Sequence, residues 1–265
     1  MKIGFIGAGN MAYAILAGIH NAGKIDMKDI IVSNRSEEKL TKIKNEFSVK
    51  VTTKNEEVLN EASDVVFLCV KPQVYDNIWS DLNKNINEKQ IIVSIIAGKS
   101  ISTLCNLNTN NIVRVMPNTP CLVGAGAIAV ATNDKKLKDD NRYKVILDIL
   151  NSIGTAIEVE EKYIDVITQV SGASPAWIFM MIEALADGGV FCGLPRDLAY
   201  KFASLSVLGS GKLAVEKGIH PGILKDMVTS PAGTTITGVK VLEDKGFRGA
   251  IIDAVYASYE RSINL

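Results

Sequence analysis

The sequence predicts a two-domain α/β protein. A doubly wound, Rossmann-type domain spans residues 1–160, and an all-helical domain spans 161–265. Three observations carry this prediction. Short Val- and Ile-rich runs alternate with polar segments of helical period up to about residue 160. Beyond about residue 161 the strand signals stop, and apolar helical stretches follow one another with Gly or Pro between them. A Gly-x-Gly-x-x-Ala run, Gly7-Ala8-Gly9-Asn10-Met11-Ala12, lies directly after the first strand-like run and directly before a helical one.

Taken in order, KIGFIG, DIIVSN, SVKVTT, DVVFLCV, QIIVSIIA, NIVRVM, AIAVAT and TAIEVE each read as a strand. AYAILAGIHNAG from Ala12, SEEKLTKIKNEF from Ser36 and LKDDNRYKVILDIL from Leu137 have helical period between them. The alternation predicts a parallel sheet covered by helices on both faces. Past a tight hinge expected near Glu161, Ser174 reads as an N-cap with Pro175 at the first helical position, and Leu194-Pro195 marks another start. The last helix puts Phe247, Ile251, Val255 and Tyr259 on one face. The helix from Ser174 is apolar around its whole circumference, because Trp177, Ile178, Phe179, Met180, Met181 and Ile182 are consecutive. Such a helix has to be covered on every side, which predicts a partner subunit.

Composition narrows the function. The chain has 265 residues, with Lys plus Arg 29 against Asp plus Glu 29 and no basic run or stripe. Nucleic acid and anionic membranes, which call for a basic surface, are not expected partners. The longest apolar stretch is broken by Glu183 and Asp187. The four cysteines, Cys69, Cys105, Cys121 and Cys192, form no Cys-x-x-Cys pair and have no neighbouring His. No metal site or disulfide framework is expected, and the reading is a soluble cytoplasmic protein with reduced thiols.

The glycine run carries the first chemistry. Gly7 allows a tight turn, Gly9 lets a pyrophosphate approach the backbone, and Ala12 permits close helix packing, while the free N–H groups of the helix face the phosphates. The second strand runs into Ser33-Asn34-Arg35-Ser36, with no acid before Glu37. An NAD-preferring site places Asp or Glu there, so Arg35 and the hydroxyls point to the 2′-phosphate of NADP; Ser36 also suits a helix cap. The strand ends at Val70-Lys71-Pro72 and Ile96-Ala97-Gly98 border the cofactor crevice, with Lys71 contributing backbone rather than charge. Between Pro117 and Pro120, Asn118 and Thr119 suit a ligand contact and a locally bonded rigid turn equally well.

The stretch SPAGTTITG, from Ser230 to Gly238, has no ionisable side chain. Ser230 and Pro231 turn the chain, Gly233 removes bulk, and Thr234 and Thr235 open a helix whose first N–H groups lack partners. Such a terminus attracts a small anion such as a carboxylate, and it is equally compatible with a capped helix that binds nothing.

Several segments together resemble the pyrroline-5-carboxylate reductase family: GFIGAGNMAYAILAG, CVKPQ, VRVMPNTP, SGASPAWIF, EALADGGVFCGLPRDLA, HPGILKDMVTSPAGTTITGVKVLE and GFRGAIIDAVYASYER. The resemblance covers nearly the whole chain, and its most specific block runs from His220 to Glu243. It implies hydride transfer from NADPH or NADH to the C=N carbon of 1-pyrroline-5-carboxylate, giving L-proline. It also implies cofactor contacts at Gly7, Ala8, Gly9, Asn10, Met11 and Ala12, at Ser33, Asn34 and Arg35, at Asn55, at Cys69, Val70, Lys71 and Pro72, and at Ile95, Ile96 and Ala97. The substrate carboxylate falls to the loop of Ser230, Gly233, Thr234 and Thr235, with the Thr235 hydroxyl as the catalytic contact near the ring nitrogen. Homodimers, or multiples of them, are implied as well. Ala232 departs from the family, in which many members have Gly. Two other classes fit parts of the pattern: a beta-hydroxyacid dehydrogenase and a non-catalytic NADP-sensing protein. The first uses a helix-borne Lys and Asn, and the helix from Ser174 has neither. The second leaves the anion loop unexplained.

Overall fold

The structure, a computed structural model, describes residues 1–105 and 107–264. The chain forms two compact units, Met1–Gly172 with the residues from Ser262 on, and Ala173–Arg261. In the first unit all the strands expected from the sequence are present: β1 Ile3–Ile6, β2 Ile30–Ser33, β3 Lys50–Thr52, β4 Val65–Leu68, β5 Ile91–Ser94, β6 Ile112–Met116, β7 Gly126–Ala131 and β8 Gly154–Glu158. They form one sheet in the order β3-β2-β1-β4-β5-β6-β7-β8. Helices α1 Asn10–Ala22, α2 Glu37–Phe47, α3 Asn55–Glu61, α4 Pro72–Asn85, α5 Ile101–Leu104, α6 Asn141–Asn151 and α7 Ile164–Ile167 connect or cover the strands.

Burial on both faces explains the Val- and Ile-rich strands. Ile3, Phe5, Val65, Phe67 and Val93 pack with Ile15 and Leu16 of α1 and Ile146 of α6. Ile6, Val66, Leu68 and Ile92 pack on the other face with Val58 of α3, Leu82 of α4 and Ile164 of α7. Phe5 and Phe67 are cross-strand partners whose rings stack at 4.8 Å.

One strand runs against expectation. β7 is antiparallel to β6, whereas β8 returns parallel to β7. The link from Pro117 to Ala125 holds only a short helical turn, Thr119–Val123. A parallel return needs a crossover of about a dozen residues or more, which α6 supplies for β8 and nothing supplies for β7.

The units divide after Gly172, further along the chain than the hinge expected near Glu161. The reason is a buried ion cluster. Arg114 of β6, whose side chain is 3% exposed, reaches Glu161 at 3.3 Å and Asp165 at 2.6 Å. Glu161 also accepts the N–H of Ile101 at 2.6 Å and the side-chain amide of Asn133 at 3.3 Å. These bonds tie the segment to the ends of β6 and β7 and to α5, so it belongs to the sheet.

Ser174 is not an N-cap. The chain is already helical from Ile164, widens into π-helical turns over Thr168–Ala173, and continues into α8, Ser174–Phe191. Pro175 has no N–H to give the carbonyl of Ser171, four residues back. That carbonyl accepts the Asn118 Nδ2 at 3.0 Å, while Asn118 Oδ1 accepts the N–H of Ala127 at 3.0 Å. Both ends of the buried Asn118 amide are therefore used in structure, which favours the rigid turn over a ligand contact.

The second unit contains α8, α9 Arg196–Lys217, α10 Pro221–Met227, α11 Thr234–Asp244 and most of α12, Phe247–Ile263. α8 and α9 meet through small residues: Ala186, Ala199 and Ala203 are its buried cluster, and a Cβ on Gly189 would lie 3.5 Å from that of Ala199. The large apolar side chains stay uncovered, with Phe179 59%, Phe191 93% and Phe202 62% exposed. Among the described residues no helix is long and apolar enough to cross a membrane.

Removing one partner of a buried ion cluster leaves the other charge without compensation. Arg114→Ala is expected to destabilise the first unit by about 3–5 kcal/mol in urea denaturation, whereas Asp165→Asn, at a half-exposed position, costs about 1 kcal/mol or less.

Candidate active site

The glycine turn sits at the carboxyl end of β1, next to β4. Gly7 has φ +104, a conformation that L side chains rarely adopt. A Cβ there would come within 2.6 Å of the Cys69 carbonyl oxygen, which cannot retreat because the Cys69 N–H is bound to Ile6 at 2.8 Å. Gly9, by contrast, has nothing within 4 Å of the position a Cβ would take. It is the N-cap of α1, contributes no capping side chain, and is followed by no acid in the first turn. The N–H groups at that end are thus left to an outside acceptor, and the helix dipole favours a negative one. Ala8 is buried, and its N–H lies 3.4 Å from Asn34 Oδ1, so the turn is tied to the loop after β2. Ala12 is fully buried against the sheet, while Asn10 is exposed and Met11 half-buried at the mouth of the turn.

At the end of β2, Arg35 is exposed and makes no ion pair among the described residues. Ser36 occupies the N-cap of α2 without a side-chain capping bond, so its hydroxyl does not act as the cap the sequence suggests. Ser33 is fully buried, and its hydroxyl donates to Asn55 Oδ1 at 2.7 Å. It therefore supports the neighbouring amide instead of opening onto a ligand, unlike the direct phosphate contact expected from the sequence. Between Ser33 and Glu37 the chain has no acid of the kind that would pair ribose hydroxyls there.

The remaining residues expected at the crevice lie at and after the ends of β4 and β5. Lys71 is the exposed N-cap of α4, Pro72 opens that helix, and its first turn also contains no acid. Val70 is half-buried beside Gly7. The Cys69 thiol packs against the core, and burial pushes its pKa up, so it stays protonated and is no nucleophile. The N–H of Ile95 is bound to Leu68 at 3.2 Å, the Ile96 side chain is in the core, and Ala97 is exposed at the rim.

The second unit holds the loop from Ser230 to Thr235. Gly233 donates its N–H to the Ser230 carbonyl at 3.0 Å, which closes the turn. Gly233 is the N-cap of α11, with no capping side chain and no acid in the first turn. Its φ of −76 suits any residue, and space is tight: a Cβ would lie 2.3 Å from the Ser230 hydroxyl, displacing it, and 3.1 Å from the Ser230 carbonyl oxygen. Ser230, Thr234 and Thr235 are exposed, and the Thr235 hydroxyl has no partner among the described residues. The helix start offers N–H donors, a positive dipole end and one neutral hydroxyl, which suits a small carboxylate.

A glycine turn that needs a bare backbone, an uncapped helix behind it and a strand end without an acid fit a dinucleotide. These features define a dinucleotide-binding protein. Comparison with known proteins identifies which kind. Residues 161–265 match the family model described as pyrroline-5-carboxylate reductase dimerisation, and residues 2–98 match that described as NADP oxidoreductase, coenzyme F420-dependent. The pyrroline-5-carboxylate reductase of Escherichia coli K12 is 41% identical over 100% of this chain and 98% of its own. The crystal structure of the Plasmodium falciparum pyrroline carboxylate reductase with NADP bound superposes with a TM-score of 0.86 at 31% identity, covering 99% of this chain and 97% of that one. The Coxiella burnetii enzyme gives 0.85 at 34%, with the same coverage. The chain belongs to the pyrroline-5-carboxylate reductase family.

The structure also shows what the departure at Ala232 means. Its φ is +56, a left-handed conformation that favours glycine. Ala232→Gly is expected to raise stability by about 1 kcal/mol, read as a higher thermal midpoint of the assembled protein, because the Cβ strain is relieved.

Proposed function

We propose that this protein reduces 1-pyrroline-5-carboxylate to L-proline with hydride from NADPH, and from NADH as a second donor. Membership of the family supports the reaction. The observation that carries the substrate assignment is the start of α11: a helix N-terminus with no cap, no acid and a free threonine hydroxyl, set behind a close turn at Gly233.

Each unit has a distinct task in this reading. The first binds the dinucleotide through Gly7, Ala8, Gly9, Asn10, Met11 and Ala12, through Asn34, Arg35 and Asn55, and through the strand ends at Cys69–Pro72 and Ile95–Ala97. Arg35 and the missing carboxylate favour a 2′-phosphate. The cofactor supplies a hydride. The second unit holds the substrate carboxylate on the N–H groups after Gly233, with Ser230 and Thr234 lining the loop. The Thr235 hydroxyl binds the ring nitrogen and fixes the orientation of the C=N bond. A protonated imine is already electrophilic, so alignment and exclusion of water do most of the work, and no strong general base is needed. The neutral chemistry of the loop is suited to this, since a carboxylate side chain there would repel the substrate acid.

The reading includes a homodimer, or a multiple of it, built through the second unit, and residence in the cytoplasm. The uncovered apolar side chains of α8 and α9 and the match to the dimerisation model support the first. Four free cysteines support the second.

The test of the function is loss of NADPH absorbance when 1-pyrroline-5-carboxylate is added. Thr235→Val keeps the side chain's shape and removes its hydroxyl. It is expected to lower kcat/KM for the imine about tenfold or more while leaving NADPH binding unchanged. Wild-type turnover by this variant would remove Thr235 from the site.

Assembly is tested separately. Sedimentation at micromolar concentration should show a dimer or a multiple of dimers. A fully active monomer would contradict the role given to the second unit.

A further inference from the structure

Ser33 ends β2, the position at which a doubly wound dinucleotide fold distinguishes ribose hydroxyls from a 2′-phosphate. Its side chain is fully buried, so any influence on a ligand passes through a neighbour. That neighbour is Asn55. The Ser33 hydroxyl lies 2.7 Å from Asn55 Oδ1 and 3.4 Å from the Phe5 carbonyl. The Asn55 amide is placed with its oxygen toward Ser33, so the Ser33 hydroxyl donates and the Asn55 oxygen accepts.

The consequence falls on the other end of the amide. With Oδ1 engaged, Nδ2 keeps both its hydrogens, and it has no partner among the described residues. Asn55 is half-buried and opens α3, directly after β3, the edge strand paired with β2. Arg35, also unpaired, follows Ser33 by two residues. A free asparagine presents acceptor and donor alike; this one has its acceptor engaged by Ser33 and its donors left over. A 2′-phosphate accepts hydrogen bonds only, whereas a 2′-hydroxyl can pair with either end of an amide.

We propose that Ser33 is a positioning residue for cofactor choice: its buried hydroxyl holds the Asn55 amide so that the N–H groups face the 2′-phosphate of the adenine ribose. The proposal rests on the NADP reading given above and adds to it the buried group that orients the contact.

Calorimetry on the intact protein tests it, with adenosine 2′,5′-bisphosphate and ADP as probes for the adenosine half alone. The wild type is expected to bind the bisphosphate more tightly than ADP. Ser33→Ala should weaken the bisphosphate about five- to tenfold and ADP less than about twofold. Adding Ser33→Ala to Asn55→Ala should cause no further loss, because the two residues act as one unit. Asn55→Asp carries the test without disturbing the buried position: it puts acceptors where the donors were and should abolish the preference for the bisphosphate. Unchanged bisphosphate binding by Ser33→Ala, a double variant whose loss is the product of the single losses, or a preserved preference in Asn55→Asp would each overturn the positioning role. A wild type that binds both probes equally would overturn the NADP reading and this proposal with it.

Discussion

The first unit depends on how closely the chain leaving β1 passes the chain leaving β4. The Cys69 carbonyl stands where a side chain on residue 7 would be, and it is held there by the ladder bond to Ile6. Only glycine passes, and only with a positive φ. This single approach aims the start of α1 at the crevice with its N–H groups bare, brings Ala8 within reach of Asn34, and leaves the end of β2 beside the same opening. The neutral crevice follows from the same arrangement. Backbone dipoles and one exposed arginine are what this opening offers to an anion, with no cluster of charges, in a chain of net charge +0.

Much of this was legible in the sequence, and the limits have physical causes. Val- and Ile-rich runs reveal strands because both faces of the sheet are buried, and Gly7 and Gly9 reveal the turn because the backbone there tolerates little else. Strand direction leaves no mark in composition, so nothing in the Val- and Ile-rich run of β7 separates it from its parallel neighbours; only the shortness of the Pro117–Ala125 link carries its direction. Hydrogen bonds between distant residues are invisible to spacing rules. Ser33 looked like a ligand group because its partner Asn55 lies on another strand's exit, and Glu161 looked like a hinge because its partner Arg114 is on β6. Ser174-Pro175 imitated a helix start, since nothing local announces that the chain arrives already helical.

The two units solve the packing problem in opposite ways. The first buries large aliphatic and aromatic side chains on both faces of its sheet. The second brings α8 and α9 together on alanines and glycine and leaves its bulky side chains outward. A close helix crossing on small residues fixes geometry but removes little apolar area from water, so this hairpin is a shaped surface more than a core. The match of this region to a dimerisation family agrees with that division of labour.

The buried Arg114 cluster decides where the molecule can be cut. A fragment ended at residue 160 would follow the boundary suggested by composition, yet it would lack both Glu161 and Asp165 and leave a guanidinium inside the sheet layer with no counter-charge. It would also lose Ile164 from the core and free the Asn118 amide from Ser171. A fragment carried through Gly172 keeps all of these contacts. The boundary of the sheet unit along this stretch is therefore set by one arginine's partners, and it reaches into the segment that matches the dimerisation model.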